Sequence, residues 1–329
     1  MREIRVGMVG CGSFGMFHLS NLQQIGGVRV AALATGNEEK LRAAARRAPG
    51  AALYRDHRAM FEQERGLDAV VVSIPPDRHG DLEIMAARRG IAMYIEKPVT
   101  VSLEDALRNE RAIAEAGVVC SVGYHGRYNP ELDAVKARLA GHSPGLVVGK
   151  WIYSLPDLNW WRFKARSGGQ LVVEQATHIF DLFRYLFGEP VSFYSVGRRG
   201  LNPPLEGSDT EDCSSTLITF AGGGFATLLA GCYLDTDRAV GDIGFDIYLE
   251  DAKLEYGFFT GAEYITRQGR RSVPFEPVCH RRAMEAFIGA VRAHDPAGVR
   301  STYSDAVKTL RATLAARESL ERGVVVSLA

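Results

Sequence analysis

The chain has no excess of charge of either sign, 39 Lys and Arg balancing 39 Asp and Glu. No basic stripe stands out, which argues against a nucleic acid or an anionic membrane surface as the main partner. Long apolar runs are missing too: no segment reaches the ~20 apolar residues of a membrane span. The opening Met1-Arg2-Glu3-Ile4-Arg5-Val6 lacks the apolar stretch of a signal peptide and runs straight into a strand pattern. Cysteine is sparse. Cys11, Cys120, Cys213, Cys232 and Cys279 are odd in number, far apart and form no C-x-x-C pair, so neither a disulfide framework nor a zinc cluster is indicated. At least four are expected as small buried hydrophobes in a reducing compartment. Internal repeats and low-complexity tracts are absent. These absences point to a soluble, cytoplasmic protein.

What is present is ordinary globular composition, 46% hydrophobic and 24% charged, in a chain of 329 residues, comfortable for two cores. Strand and helix patterns alternate over residues 1–123. Strands are expected at Ile4–Val9, Val28–Ala34, near Leu53, at Asp68–Ile74, Ala92–Ile95 and Val118–Val122. The apolar run DAVVVSI at 68–74 reads as a strand buried on both faces. Helices fall between them, one opened by the capping box Ser102-x-x-Asp105 and stopped by Gly117. This is the pattern of a doubly wound parallel sheet, a Rossmann domain. Beyond Gly123 the pattern changes. Helices are expected from Asn129-Pro130 to about Leu139 and at Thr177–Phe187, strands at Val191–Val196, Cys213–Phe220, Phe225–Cys232, Ile243–Leu249 and Lys253–Tyr256, and two closing helices at Arg281–Ala293 and Ser304–Arg322. Residues 124–329 thus read as an α+β domain with a large, mostly antiparallel sheet.

Three stretches carry chemistry. Gly10-Cys11-Gly12-Ser13-Phe14-Gly15 is a G-x-G-x-x-G that follows an apolar strand and opens a helix. In that context the glycines permit a tight turn, close approach of backbone to a pyrophosphate, and tight packing of helix on strand. Glu96-Lys97-Pro98 ends the fifth strand of the first domain, where ligands of such sheets sit. It reads equally as an acid–base lysine beside a cofactor or as a salt-bridged turn. Glu174 and His178, four residues apart in a stretch beginning Gly168-Gly169, would share a helix face, with Asp181 within reach of His178 from the next turn. A carboxylate beside a histidine sets its tautomer or raises its pKa; taken alone, the pair is also an ordinary helix-start contact contributing ~0.3 kcal/mol. His125, His142, His280 and His294 read as structural or surface residues, and no cluster has metal-ligand spacing.

The three stretches, in this order and spacing, resemble the Gfo/Idh/MocA oxidoreductase family. The likeness runs along nearly the whole chain and includes Pro75 and His79, Gly123 and Arg127, Trp161-Arg162, LFRYLFGEP at 182–190 and Ser301-x-Tyr303-Ser304-Asp305-Ala306. It implies reversible hydride transfer between a nicotinamide dinucleotide and a carbinol carbon of a sugar, cyclitol or related polyol. It implies that Lys97 hydrogen-bonds the reacting oxygen and that His178 exchanges the proton. Glu174 stands where the family usually has Asp; the extra methylene moves the carboxylate by about one bond length, so Glu174 is read as positioning substrate or tuning a pKa. Cofactor contacts are expected from Gly10, Gly12, Ser13, Phe14, Gly15, Thr35, Asn37, Lys40, Ser73, Ile74, Pro75, His79, Glu96 and Lys97, and substrate contacts from Lys97, Tyr124, Trp161, Arg162, Glu174 and His178. An NAD-specific fold usually carries an acid at the end of the second strand. Here Thr35 stands instead, with Asn37 and Lys40 nearby, and the segment is similar to one that holds NADP within the family. The expectation is therefore NADP in preference to NAD, no metal, and a homodimer or homotetramer formed through the C-terminal sheet. A non-catalytic dinucleotide-binding regulator and an NAD-dependent glycoside-cleaving enzyme are alternatives on the same fold; the presence of both Lys97 and His178 weighs against the regulator.

Overall fold

A computed structural model describes residues 2–140, 145–235 and 238–328. His142 lies outside them. The chain divides into two compact units, one formed by Met1–His125 with His280–Val307 and the other by Gly126–Cys279 with Lys308–Ala329.

In the first unit the elements run β1 (Ile4–Val9), α1 (Ser13–Gln23), β2 (Val28–Ala34), α2 (Glu38–Arg47), β3 (Ala52–Tyr54), α3 (His57–Gln63), β4 (Ala69–Val72), α4 (Leu82–Arg88), β5 (Ala92–Ile95), α5 (Leu103–Ala116) and β6 (Cys120–Val122). The six strands are parallel in the order β3-β2-β1-β4-β5-β6. The order reverses between β1 and β4, so the crevice beyond their carboxyl ends is where such a sheet takes a ligand. Every residue of β4 (AVVV) and β5 (AMYI) is buried, as both-face coverage requires. One half of the expected capping box forms on helix α5: Asp105 N donates to Ser102 Oγ at 3.2 Å, while Ser102 N donates to Thr100 Oγ1 at 3.4 Å; Gly117 ends the helix at φ 63°. Strand β4 is shorter than the run 68–74, because beyond Val72 the chain turns across the Gly10 backbone.

The second unit contains α6 (Pro130–Leu139), β7 (Leu146–Tyr153), the single turn α7 (Lys164–Ser167), α8 (Thr177–Phe187), β8 (Pro190–Arg198), β9 (Cys213–Phe220), β10 (Phe225–Cys232), β11 (Asp242–Tyr248), β12 (Lys253–Gly257), β13 (Gly261–Thr266) and β14 (Gly269–Pro274). The chain closes with α9 (Cys279–Ala293), α10 (Tyr303–Arg322) and β15 (Val326–Ser327). The nine-stranded sheet has the order β14-β13-β12-β11-β7-β10-β9-β8-β15, antiparallel except for the β7–β10 pair. Strand β7 had no sequence assignment; Gly149 and Lys150 interrupt its apolar run, and Gly145 precedes it. Gly149 has a packing reason. A Cβ there would lie 2.7 Å from Phe183 Cζ and 3.0 Å from Ile179 Cγ2, so its absence lets α8 lie directly on the sheet.

That face forms the core of the second unit, with Ile179, Phe183, Leu228, Phe245 and Tyr256 among its members. The opposite face carries large exposed apolar side chains, including Leu146, Tyr194, Val196, Leu217 and Tyr248. Cross-strand register aligns Tyr194, Leu217, Thr227, Val148 and Asp246 in one row on it.

The return of 280–307 to the first unit departs from the contiguous division at 123/124. Its reason is visible: Val122 N donates to Ser301 O at 2.9 Å, Ser121 bridges Thr302, and Phe287 of α9 packs edge-on against Tyr94 at 5.7 Å. All five cysteines are free, and four are buried. No described helix is long and apolar enough to cross a membrane.

Candidate functional site

In the first unit the glycine turn follows β1. Gly10 has φ 96°, and a Cβ there would lie 2.0 Å from Ser73 O; one on Gly15 would lie 2.1 Å from Gly10 O. Neither position admits a side chain. Gly12, by contrast, faces open space, with nothing within 4 Å of where a Cβ would be. Gly12 is also the N-cap of α1, and no side chain caps the helix. Exposed Ser13 and Phe14 follow. Uncapped N–H groups at a helix start, with room in front of them, suit a phosphate. The turn therefore fits a dinucleotide.

At the end of β2, Thr35 Oγ1 accepts from Asn37 N at 3.5 Å, and Asn37 Oδ1 caps α2 by accepting from Lys40 N at 2.9 Å. Glu38 is engaged by both Arg42 and Arg55. The Lys40 ammonium is exposed and makes no ion pair among the described residues.

Glu96, 8% exposed, is held from the first helix: His18, fully buried, contacts Glu96 Oε1 through Nε2 at 2.7 Å, and Lys97 N donates to Glu96 Oε2 at 3.2 Å. Gly123 leaves the room, since a Cβ there would lie 2.7 Å from Glu96 Oε1. Burial alone would raise the Glu96 pKa, but the His18 hydrogen bond and charge, with Lys97 and His280, hold it below its ordinary value. Half-buried Lys97 thus follows a fixed carboxylate, through a cis peptide to Pro98. His18 was missed by sequence reasoning. The signal was there: it lies on the same helix face as buried Gly15, Leu19 and Leu22. Nearby, His280 stacks on His125 at 3.6 Å and meets Phe17 edge-on at 4.9 Å; burial, aided by the His18 charge, pushes its pKa down to about 4. Tyr124 is 2% exposed.

In the second unit the segment Gln170–Gln175 forms a π-helical turn running into α8. Glu174 N reaches back to Gly169 O at 3.1 Å, and Ala176 N to Leu171 O at 2.6 Å. Such wide turns are frequent at functional sites. A regular helix through both Glu174 and His178 was the expectation, so the i,i+4 geometry assumed for them does not hold. Both are buried, at 4% and 7% exposure. The His178 ring stacks on Trp151 of β7 at 5.3 Å and 18°, with Phe258 at 5.6 Å. Trp151 was not foreseen, because its strand was not.

Asp181 is clamped by Arg127. Nε and Nη2 donate to Oδ2 and Oδ1, both at 2.7 Å, and Thr309 Oγ1 donates to Oδ1 at 3.0 Å. Asn129 is the N-cap residue of α6, followed by Pro130 at the first helical position; its side chain makes no capping bond and its amide donates to the Tyr256 hydroxyl at 2.6 Å. Trp161 and Arg162 lie on a short 3-10 turn packed against the π-helical turn. Ser167 ties the two together, donating to Trp161 O at 2.9 Å and accepting from Gly169 N at 3.1 Å. Trp161 Nε1 is shielded, and it and the buried Arg162 guanidinium have no hydrogen-bond partner among the described residues.

Residues 4–124 match the family model of an oxidoreductase family with an NAD-binding Rossmann fold, and residues 144–255 match the Gfo/Idh/MocA C-terminal domain. The chain belongs to the Gfo/Idh/MocA family. It is an NAD(P)-dependent oxidoreductase by that membership. Among curated relatives it is similar to scyllo-inositol 2-dehydrogenase (NAD(+)) of Bacillus subtilis, 27% identical over 99% of this chain and 96% of the relative. Among solved structures, the WlbA dehydrogenase of Bordetella pertussis with NADH and UDP-GlcNAcA superposes with a TM-score of 0.84 at 23% identity, over 100% of this chain and 99% of that one. Levoglucosan dehydrogenase with NADH and L-sorbose does so at 0.88 and 19%, covering both chains fully. At these identities the two structures show a shared fold.

Proposed function

We propose that this protein transfers a hydride between a nicotinamide dinucleotide and a carbinol carbon of a cyclitol, sugar or related polyol. The observation that carries the reading is the glycine turn, closed to side chains at Gly10 and Gly15 and open at Gly12, at the switch point of a doubly wound sheet. Its likeness over 99% of its length to a relative named as an inositol dehydrogenase supports the substrate class. The dinucleotide, when bound, supplies the acceptor or donor of the hydride. Lys97 hydrogen-bonds the reacting oxygen. His178, neutral for oxidation, takes the hydroxyl proton; its ring is kept in place by Trp151 and Phe258. Glu174 positions substrate, and Trp161 and Arg162 offer it hydrogen-bond donors.

The preferred cofactor is NADP. Thr35 leaves no carboxylate to repel a 2′-phosphate, Glu38 is neutralised by two arginines, and Lys40 offers a charge that no acid has claimed. Wild-type kcat/KM should favour NADP, and Thr35→Asp with Lys40→Ala should move the preference toward NAD by about tenfold or more. A wild type that favours NAD, or a double variant whose preference stays put, would defeat the assignment. The apolar face of the nine-stranded sheet buries against a second copy of the chain, giving a homo-oligomer.

A further inference from the structure

The ends of β2 and β3 lie side by side in the first unit. Ala34 registers with Tyr54, and Thr35 N donates to Tyr54 O at 3.1 Å. The next residues outward are Gly36 and Arg55, and a Cβ on Gly36 would lie 3.8 Å from the Arg55 carbonyl oxygen. Gly36 itself puts no side chain between the end of β3 and the start of α2. The exposed Arg55 side chain reaches α2 there: its Nη2 donates to Glu38 Oε2 at 2.6 Å. Glu38 is the first residue of α2, following Thr35, Gly36 and Asn37 directly.

Glu38 is engaged twice. Arg42, one turn further along α2, pairs with Oε1, and Arg55 takes Oε2. One arginine is enough to balance the carboxylate. The Arg42 pair is local to the helix, at the i,i+4 spacing that helices favour. Arg55 comes from a different element, and its side chain makes no other hydrogen bond or ion pair among the described residues. Both members of the Arg55–Glu38 pair are exposed, so the pair sits in high dielectric and contributes little. A phosphate dianion carries more charge than a carboxylate and accepts parallel N–H bonds from the planar guanidinium. Exchange of Glu38 for such a group is therefore favourable, and it leaves Glu38 still paired with Arg42. Asp56, next to Arg55 in the chain, is occupied in capping α3, where it accepts from Ala59 N at 2.8 Å. Glu39 follows Glu38 in the first turn of α2, where the helix dipole favours an acid.

In a dinucleotide fold the adenosine ribose 2′ position lies at the end of the second strand, and an arginine nearby accommodates a 2′-phosphate. Thr35, Asn37 and Lys40 are the residues of that segment legible in the sequence; Arg55, from the end of β3, was not among them. We propose that Arg55 is a further specificity residue for NADP: Glu38 holds it in the free protein, and it transfers to the 2′-phosphate, supplying charge from β3 as Lys40 supplies it from α2. This rests on the NADP reading above, and the test separates the two.

Dissociation constants for NADP and NAD are measured by titrating the whole chain, with adenosine 2′,5′-bisphosphate and 5′-AMP as fragments that differ by the 2′-phosphate alone. Wild type should favour NADP over NAD, and the bisphosphate over 5′-AMP. Arg55→Met keeps the apolar stem and drops the guanidinium at an exposed position, so the fold is retained. It should cut both preferences about tenfold, the scale of one hydrogen bond to a charged group. Glu38→Gln, which releases Arg55 in advance and removes an acid, should raise them. Unchanged preferences in Arg55→Met, with a wild type that favours NADP, overturn this proposal alone, as does a fall in preference in Glu38→Gln. A wild type that favours NAD overturns this proposal together with the NADP assignment. A wild type that binds neither dinucleotide overturns this proposal and the proposed function together.

Discussion

The Arg127–Asp181 pair offers a quantitative test of how the second unit is held. Arg127 is 4% exposed and Asp181 1%, and the two make a bidentate ion pair with both contacts at 2.7 Å. Thr309 extends it, donating to Asp181 at 3.0 Å while accepting from Arg184 Nη1 at 2.6 Å, and Arg184 in turn clamps Glu189. In Asp181→Asn the shape is kept but a buried guanidinium loses its counter-charge. Breaking a buried pair from one side costs about 3–5 kcal/mol. At roughly 2–4 °C per kcal/mol for a unit of this size, the melting temperature should fall by on the order of 10 °C. Replacing both partners by apolar residues, Arg127→Met with Asp181→Leu, should recover much of the loss, because neither charge of the pair is then left buried alone. The three tryptophans, Trp151, Trp160 and Trp161, all lie in the second unit. Urea unfolding followed by tryptophan fluorescence therefore reads that unit selectively. A single variant costing less than about 1 kcal/mol, or a double variant worse than the single, would refute the reasoning.

Two further outcomes follow from other parts of the structure. His280, with its pKa pushed down to about 4 by burial, is neutral in the folded state where an unfolded histidine, near 6.5, takes up a proton. Stability should therefore fall as pH drops from about 6.5 to about 4, by roughly 2–3 kcal/mol from this group. His280→Phe, which keeps a ring to stack on His125, should flatten that part of the pH–stability curve; an unchanged slope would contradict the burial argument. Placing a charge among the exposed apolar side chains of the open sheet face, as in Leu217→Glu, should convert the oligomer to monomers in sedimentation velocity, and an unchanged sedimentation coefficient would remove this face as the interface.

The parallel, doubly wound character of the first unit was legible because its strands are short apolar runs separated by capped helices and by glycines. The second unit was less so. Strand β7 has Gly149 and Lys150 at its centre, which lower any strand pattern, and Gly149 is there because α8 packs onto it. The edge strand β14, GRRSVP, is almost wholly exposed and shows no alternation to read. The candidate site divides the same way. The glycine turn is a local motif and could be read from its spacing. The partners of Glu96 and Asp181 could not, because His18 and Arg127 reach them through tertiary packing rather than helical spacing. The π-helical turn before α8 changes the phase of the helix, which no i,i+4 argument anticipates.

Hydride transfer itself is the central claim, and isotope transfer tests it most directly. A set of inositols and sugars, each deuterated at its carbinol carbons, is incubated with wild-type protein and oxidised NADP or NAD, and the dinucleotide is recovered for mass spectrometry. The account predicts one deuterium on the reduced nicotinamide for at least one polyol, with transfer about 100-fold slower or worse in Lys97→Ala although that variant still binds dinucleotide. Reduced dinucleotide without deuterium, no reduction with any polyol, or undiminished transfer in Lys97→Ala would contradict it.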